Sequence, residues 1–134
     1  MSVLFHLTMP DGPMAALEAV MQDVQTLQKQ IVGSQINHFY PGNRPGSRLP
    51  RQLWGVAQLP RLRRTEKQVQ LHHIFNPDLF PFPALRWLKK PIVYTAVTGL
   101  GHTSQAVVQK LAHQVHTLIL PTLNDQDQLK AWGI

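Results

Sequence analysis

The residues of this chain that could do chemistry gather where apolar runs stop. Leu71-His72-His73-Ile74-Phe75 ends at Asn76-Pro77-Asp78, and Ile92-Val93-Tyr94-Thr95-Ala96-Val97-Thr98 runs into Gly99-Leu100-Gly101-His102. Thr98 and His102 lie on the loop after the second run, at the carboxyl end of a strand, where a ligand of an open α/β sheet would be met. A second role competes for His102, as the neighbour of a helix cap. Asn76 and Gly99, at the ends of the same two runs, are candidates for ligand contact, as are Asp11 and Gly12 after the first apolar run. His72 and His73 are adjacent, so on a strand they face opposite ways and cannot share one metal. The chain has no Cys, which excludes disulfides and thiolate metal sites, and it has no zinc spacing, P-loop or GxGxxG. Neither a metal nor a cofactor is expected.

Charge supplies a second kind of candidate. The formal net charge is +6, and ten of the thirteen basic residues lie between Arg44 and Lys90, opposed there only by Glu66 and Asp78. Arg51, Arg61, Arg63, Arg64 and Lys67 fall among Leu53, Trp54, Val56, Leu59 and Leu62. Such a segment can hold anionic headgroups or phosphates. The competing reading buries the apolar residues in the core and turns the arginines to water.

The elements that must position these groups follow from periodicity. Ser2 to Thr8 reads as a strand, Met9 to Pro13 as a turn, and Met14 to Ile31 as an amphipathic helix closed by Gly33. Ser34 to Tyr40 is the next strand. After a Pro-, Gly- and Arg-rich loop, short helices are expected from Arg51 to Val56 and from Pro60 to Gln68. Leu71 to Phe75 and Ile92 to Thr98 are strands joined by a helix from Ala84 to Lys90, its last turn carrying Lys89 and Lys90. A helix from Thr103 to Ala112, a strand from Val115 to Leu120 and a helix from Asn124 to Trp132 complete the order. Two strands joined by a helical crossover are parallel. The expectation is therefore one domain, 1–134, of α/β class: an open, doubly wound, mostly parallel Rossmann-like sheet of about five strands with helices on both faces. No run is long and apolar enough to span a bilayer, and Val3-Leu4-Phe5-His6-Leu7 lacks the basic lead-in of a signal peptide.

Two of these stretches carry a resemblance. The run from Leu71 to Gly99, with its His73, Asn76-Pro77, Pro- and Phe-rich turn and Leu88-Lys89-Lys90-Pro91-Ile92-Val93-Tyr94-Thr95, resembles the N-terminal domain of glycosyltransferase family 4. The tail is similar to the segment that closes that domain, from Leu118-Ile119-Leu120-Pro121-Thr122 to Leu129-Lys130-Ala131-Trp132-Gly133-Ile134. The resemblance implies the acceptor-side half of a GT-B enzyme that transfers a hexose from a nucleotide-sugar with retention. Thr98 and His102 would be catalytic, and Asp11, Gly12, Asn76 and Gly99 would bind the acceptor. It also implies a separate C-terminal donor-binding domain, in cis or in trans, so this half alone is expected to be inactive. A sugar or lipid-linked acceptor is expected, with no specific nucleic acid. The expected place is the cytoplasm, peripherally on the inner face of the membrane.

The chain departs from the family pattern in two places. Pro10-Asp11-Gly12-Pro13 stands where many members have a Gly-Gly loop, and reads first as a plain turn with a helix cap, second as a phosphate contact. The His that many members carry just after the "Val-Tyr-Thr" strand is absent, leaving Thr98 and His102 as the nearest replacements. Two rivals stand beside this reading. One is a non-catalytic basic α/β module for anionic membrane or nucleic acid. The other is a flavodoxin-like nucleotide or FMN binder, for which the Met9–Pro13 turn is a poor cradle because its prolines lack amide donors.

Overall fold

The computed structural model describes residues 2–8, 15–38, 53, 55–76 and 78–134. Five strands form one sheet, all parallel, in the order β2-β1-β3-β4-β5: β1 Val3–Leu7, β2 Gln35–His38, β3 Leu71–Asn76, β4 Ile92–Ala96 and β5 Thr117–Ile119. Among the described residues three α-helices lie in the connections, α1 Ala15–Gln30, α2 Leu59–Glu66 and α3 Gln105–Ala112, and a fourth, α4 Leu123–Ala131, follows β5. The expected class and strand number are both present.

Alternation assigns the two faces. Leu4, Ile74, Ile92, Tyr94 and Ala96 point to one side, where they meet Leu62 of α2, Val108 and Leu111 of α3, and Leu129 of α4. Val3, Phe5 and Leu7 point to the other, where α1 lays Val20, Met21, Val24 and Leu27 against them at helical spacing. All five residues of β1 are buried, as a central strand covered on both faces requires. Gly33 ends the α1 turn at φ 81°, a left-handed conformation that costs glycine no Cβ clash.

The α2 segment shows how the apolar and basic residues of this stretch are divided. Leu62 and Glu66, one helical turn apart, are buried against the sheet, while Arg61, Arg63 and Arg64 are exposed. Leu59 and Val56 pack on the same core, so this part of the apolar content is structural. Of the first expected short helix, only residues 53, 55 and 56 are described: Leu53 is 3₁₀ and exposed, and 55–58 is a turn.

One connection differs from expectation. Between β3 and β4 the chain makes a 3₁₀ helix over Pro83–Trp87, and Leu88 is already extended at ψ 132°. Lys89 and Lys90 are therefore not in a helical last turn. The physical reason lies in their amides: both N–H groups donate to the Glu66 carboxylate, at 2.7 and 2.9 Å, instead of continuing a helix. Pro91 then prevents resumption. The other elements lie within a few residues of their expected bounds. Ser104 and Thr122 cap α3 and α4 through their hydroxyls.

The loop before the 3₁₀ helix is secured from the sheet. The Tyr94 hydroxyl, fully buried, donates to the Asp78 carbonyl at 2.8 Å and accepts from the Phe80 amide at 3.1 Å. Leu79 and Phe82 are buried beneath this pin. Tyr94→Phe keeps the ring but removes the hydroxyl that joins the half-buried Phe80 amide to the Asp78 carbonyl, which keeps its bond from Asn76. It is expected to lower the unfolding free energy by about 1–3 kcal/mol, measured by urea denaturation with an unchanged m-value.

Candidate functional site

In an open parallel sheet the ligand crevice forms at the carboxyl ends of strands whose connections leave in opposite directions. Here those strands are β1 and β3: the chain leaves β1 toward β2 on one side, and β3 lies on the other. Thr8 follows β1 and Asn76 ends β3, and the two meet, the Thr8 hydroxyl against Asn76 Oδ1 with the Phe75 carbonyl also within reach at 3.1 Å. Asn76 Nδ2 donates to both the carbonyl and the Oδ1 of Asp78, each at 2.7 Å. Asn76 is fully buried, so its amide shapes the crevice wall and orients Asp78, which is partly exposed.

One strand over, Val97 N–H donates to the Asn76 carbonyl at 2.8 Å and carries the chain into the loop of Thr98 and Gly99. Gly99 has φ +86°, and the Asp125 carboxylate and the Pro121 ring occupy the space a Cβ would take. A carboxylate is thus seated beside the β4 loop. In the sequence Asp125 reads only as a first-turn acid of the last helix; no local signal links it to Gly99, 26 residues away. Thr98 and His102 are both exposed on the loop leading to α3. Asp11, Gly12 and Arg51 lie outside the described residues.

Beneath the crevice runs a buried polar chain. Asn37 of β2, His6 of β1 and His72 of β3 share one face of three adjacent strands, and α2 closes over them. The direction of each bond follows from its end. The Glu66 carboxylate only accepts, so His72 Nε2, 2.8 Å away, carries a proton. His72 Nδ1 then accepts from His6 Nε2 at 2.9 Å, and His6 Nδ1 accepts from Asn37 Nδ2 at 3.1 Å. Asn37 also donates to Gln58 Oε1 at 3.1 Å and accepts from Arg61 at 2.6 Å. Among the expected anion-contact residues Arg61 is thus engaged inward, while Arg63, Arg64 and Lys67 gather at the opposite, amino-terminal edge of the sheet with Lys89 and Lys90. His73 faces the other way from His72, stacks on Phe75 at 4.2 Å and meets Thr95 Oγ1 at 2.8 Å.

Burial dominates the electrostatics of this chain. It lowers the pKa of His6 well below the usual imidazole value, helped by the charges His72 and His73 would carry. Burial also lowers His72, against the opposing pull of the Glu66 hydrogen bond and charge. His73 falls to about 4 through burial. For Glu66 burial acts upward, but the amide of Lys90, the His72 ring and the amide of Lys89 together bring it below the ordinary carboxyl value. Both inner histidines are therefore neutral, with tautomers fixed by the bonds above.

No family model, curated protein or solved structure matches the chain.

The lowered histidines make stability acid-sensitive. Below the unfolded value of about 6.5 the unfolded chain takes up protons at His6 and His72 that the folded chain refuses. The stabilisation is fully present above that pH and declines as pH falls toward the lower folded values. The slope should approach about 1.4 kcal/mol per pH unit for a strongly shifted group such as His6, with His72 adding in the same direction and His73 adding down to about 4. Urea unfolding at pH 7.5, 6.0 and 5.0 measures this, and replacing His6 and His72 jointly by Gln should make the profile shallower, leaving the contribution of His73.

Proposed function

We propose that this chain is the acceptor-side domain of a retaining hexosyltransferase of the GT-B kind, working with a separate donor-binding domain. The observation that carries the reading is the convergence at the carboxyl edge of the sheet. Thr8, Asn76 and Asp78 close the β1–β3 crevice, and one strand away the Thr98–Gly99 turn holds Asp125 against it. Carboxylates and hydroxyls spaced along such an edge suit an acceptor made of hydroxyl groups, each of which both donates and accepts. The resemblance of the Leu71–Gly99 stretch and of the closing segment to family-4 N-terminal domains supports the same assignment.

On this reading the acceptor lies over the β4 loop. As its oxygen bonds to the anomeric carbon, the bond from that carbon to the nucleotide phosphate breaks and the phosphate leaves with the electron pair. The acceptor proton passes to Asp125 or His102, while Thr98 orients the oxygen. Asp125 supplies what the missing family histidine leaves open, a base beside the β4 loop, and such a base contributes typically about 10²–10⁴-fold. Donor binding belongs to the partner domain. Among the described residues no helix is long and apolar enough to cross a membrane. The reading places the domain in the cytoplasm, peripherally on the inner face of the membrane, where a lipid-linked acceptor is reached.

The test is reconstitution. The full chain, mixed with a donor-binding domain of the GT-B kind, is assayed for nucleotide release from a panel of nucleotide-sugars. Turnover is expected only in the mixture. Asp125→Asn and Thr98→Val should each reduce kcat, Asp125→Asn by about 10²-fold, while Lys110→Gln on the outer face of α3 should leave it unchanged. Silence in every mixture, from a chain shown to be folded, would sink the sugar-transfer reading.

A further inference from the structure

At the amino-terminal edge of the sheet, away from the crevice, lies a cleft of about 550 Å³ lined by Arg63, Arg64, Glu66, Lys67, Lys89 and Lys90. Two segments build it: α2, which ends at Glu66 just before β3, and the extended residues that precede β4. The α2 cations alone have an ordinary explanation, since positive charge suits the negative end of a helix dipole. Lys89 and Lys90 have none, because they lie beyond the 3₁₀ helix on extended backbone.

Glu66 holds the two segments together without neutralising them. Its Oε2 is turned inward and takes His72 Nε2 and the backbone amides of Lys89 and Lys90, all within 2.9 Å. The bonds to the amides fix the backbone of both lysines at the rim. Among the described residues no carboxylate lies at ion-pair distance from any of the five cations. Arg63 and Lys67 are four residues apart, a spacing at which like charges repel along α2. A cluster of five cations against the single carboxylate of Glu66 is relieved by an anion.

We propose that these five cations form a binding cleft for a compact, multiply charged phosphate group, such as a diphosphate. The volume falls in the range of small-molecule sites. Two guanidinium forks match phosphate oxygens pairwise, and three ammonium groups add point charge. Among the described residues no aromatic side chain lines the cleft, and so none offers a stacking platform for single-stranded nucleic acid. The phosphate can come from a soluble metabolite or from a lipid headgroup, the chemistry being the same. The cleft is independent of the sugar-transfer reading and stands if that reading falls.

The experiment titrates the full chain with inorganic pyrophosphate by calorimetry. Parallel sedimentation uses phosphatidylcholine vesicles with and without phosphatidylserine. Saturable pyrophosphate binding that weakens with added salt is expected. Lys67→Gln with Lys89→Gln should weaken it by about a hundredfold, roughly tenfold for each charge-assisted hydrogen bond removed. The exposed pair Lys110→Gln with Lys130→Gln serves as the charge-matched control, and thermal midpoints confirm that both variants fold. Pyrophosphate that displaces the chain from phosphatidylserine vesicles identifies a headgroup as the source; binding without vesicle association identifies a soluble phosphate. Either supports the cleft. Absence of pyrophosphate binding, equal weakening in the control pair, or tighter binding to an oligonucleotide with affinity growing with its length would each overturn it.

Discussion

The Glu66 carboxylate is the interaction on which most of this structure depends. It is 5% exposed and receives one imidazole and two backbone amides. Burying a carboxylate is costly unless hydrogen bonds replace its water, and removing a partner would leave that cost uncovered. The three bonds join α2, the centre of the sheet and the segment entering β4. They explain why the crossover after the 3₁₀ helix is extended, and why His72 has a fixed tautomer. Through His72 the constraint passes to His6 and Asn37, so one acid on α2 aligns polar groups on three strands.

The same arrangement separates the molecule into two edges with different chemistry. At the carboxyl edge the polar groups are hydroxyl, amide and carboxylate, drawn from the ends of β1, β3 and β4 and from the start of α4. At the amino edge the groups are cations. The polar chain of Arg61, Asn37, His6, His72 and Glu66 runs between them under α2. Its ring nitrogens are already bonded, so it serves as scaffold and holds the two edges in one rigid unit. Its cost is acid sensitivity, because neither inner imidazole can be protonated without breaking a bond in the chain.

Much of the architecture was legible in the chain itself. The apolar runs of Val3–Leu7, Leu71–Phe75 and Ile92–Ala96, set off by Pro and Gly, mark strands, and the three- and four-residue spacing of Val20, Val24, Leu27 and Ile31 marks the long helix. These signals are legible because periodicity is local: a strand or helix buries one face, and the pattern of that face is written in consecutive residues. The opposite facing of His72 and His73 follows from the same rule. Thr8, Asn76 and Gly99 are at strand ends for the same reason.

What the sequence by itself determined, then, is the order of the elements, their parallel pairing and the loops that form the crevice. Tertiary structure alone decided which distant residues meet. Asp125 comes to Gly99, His6 to His72, and Glu66 to Lys89 and Lys90, because strand order and register bring together segments that share no local pattern. Glu66 shows the limit most plainly. In the sequence it is one of two acids set against ten bases, an apparent neutraliser. In the fold its carboxylate is held by two amides and a neutral imidazole and pairs with no cation among the described residues, so one negative charge stands against five positive ones at the basic edge. Helical phase and strand register decide whether a charge faces water or the core, and the counts of a composition carry neither.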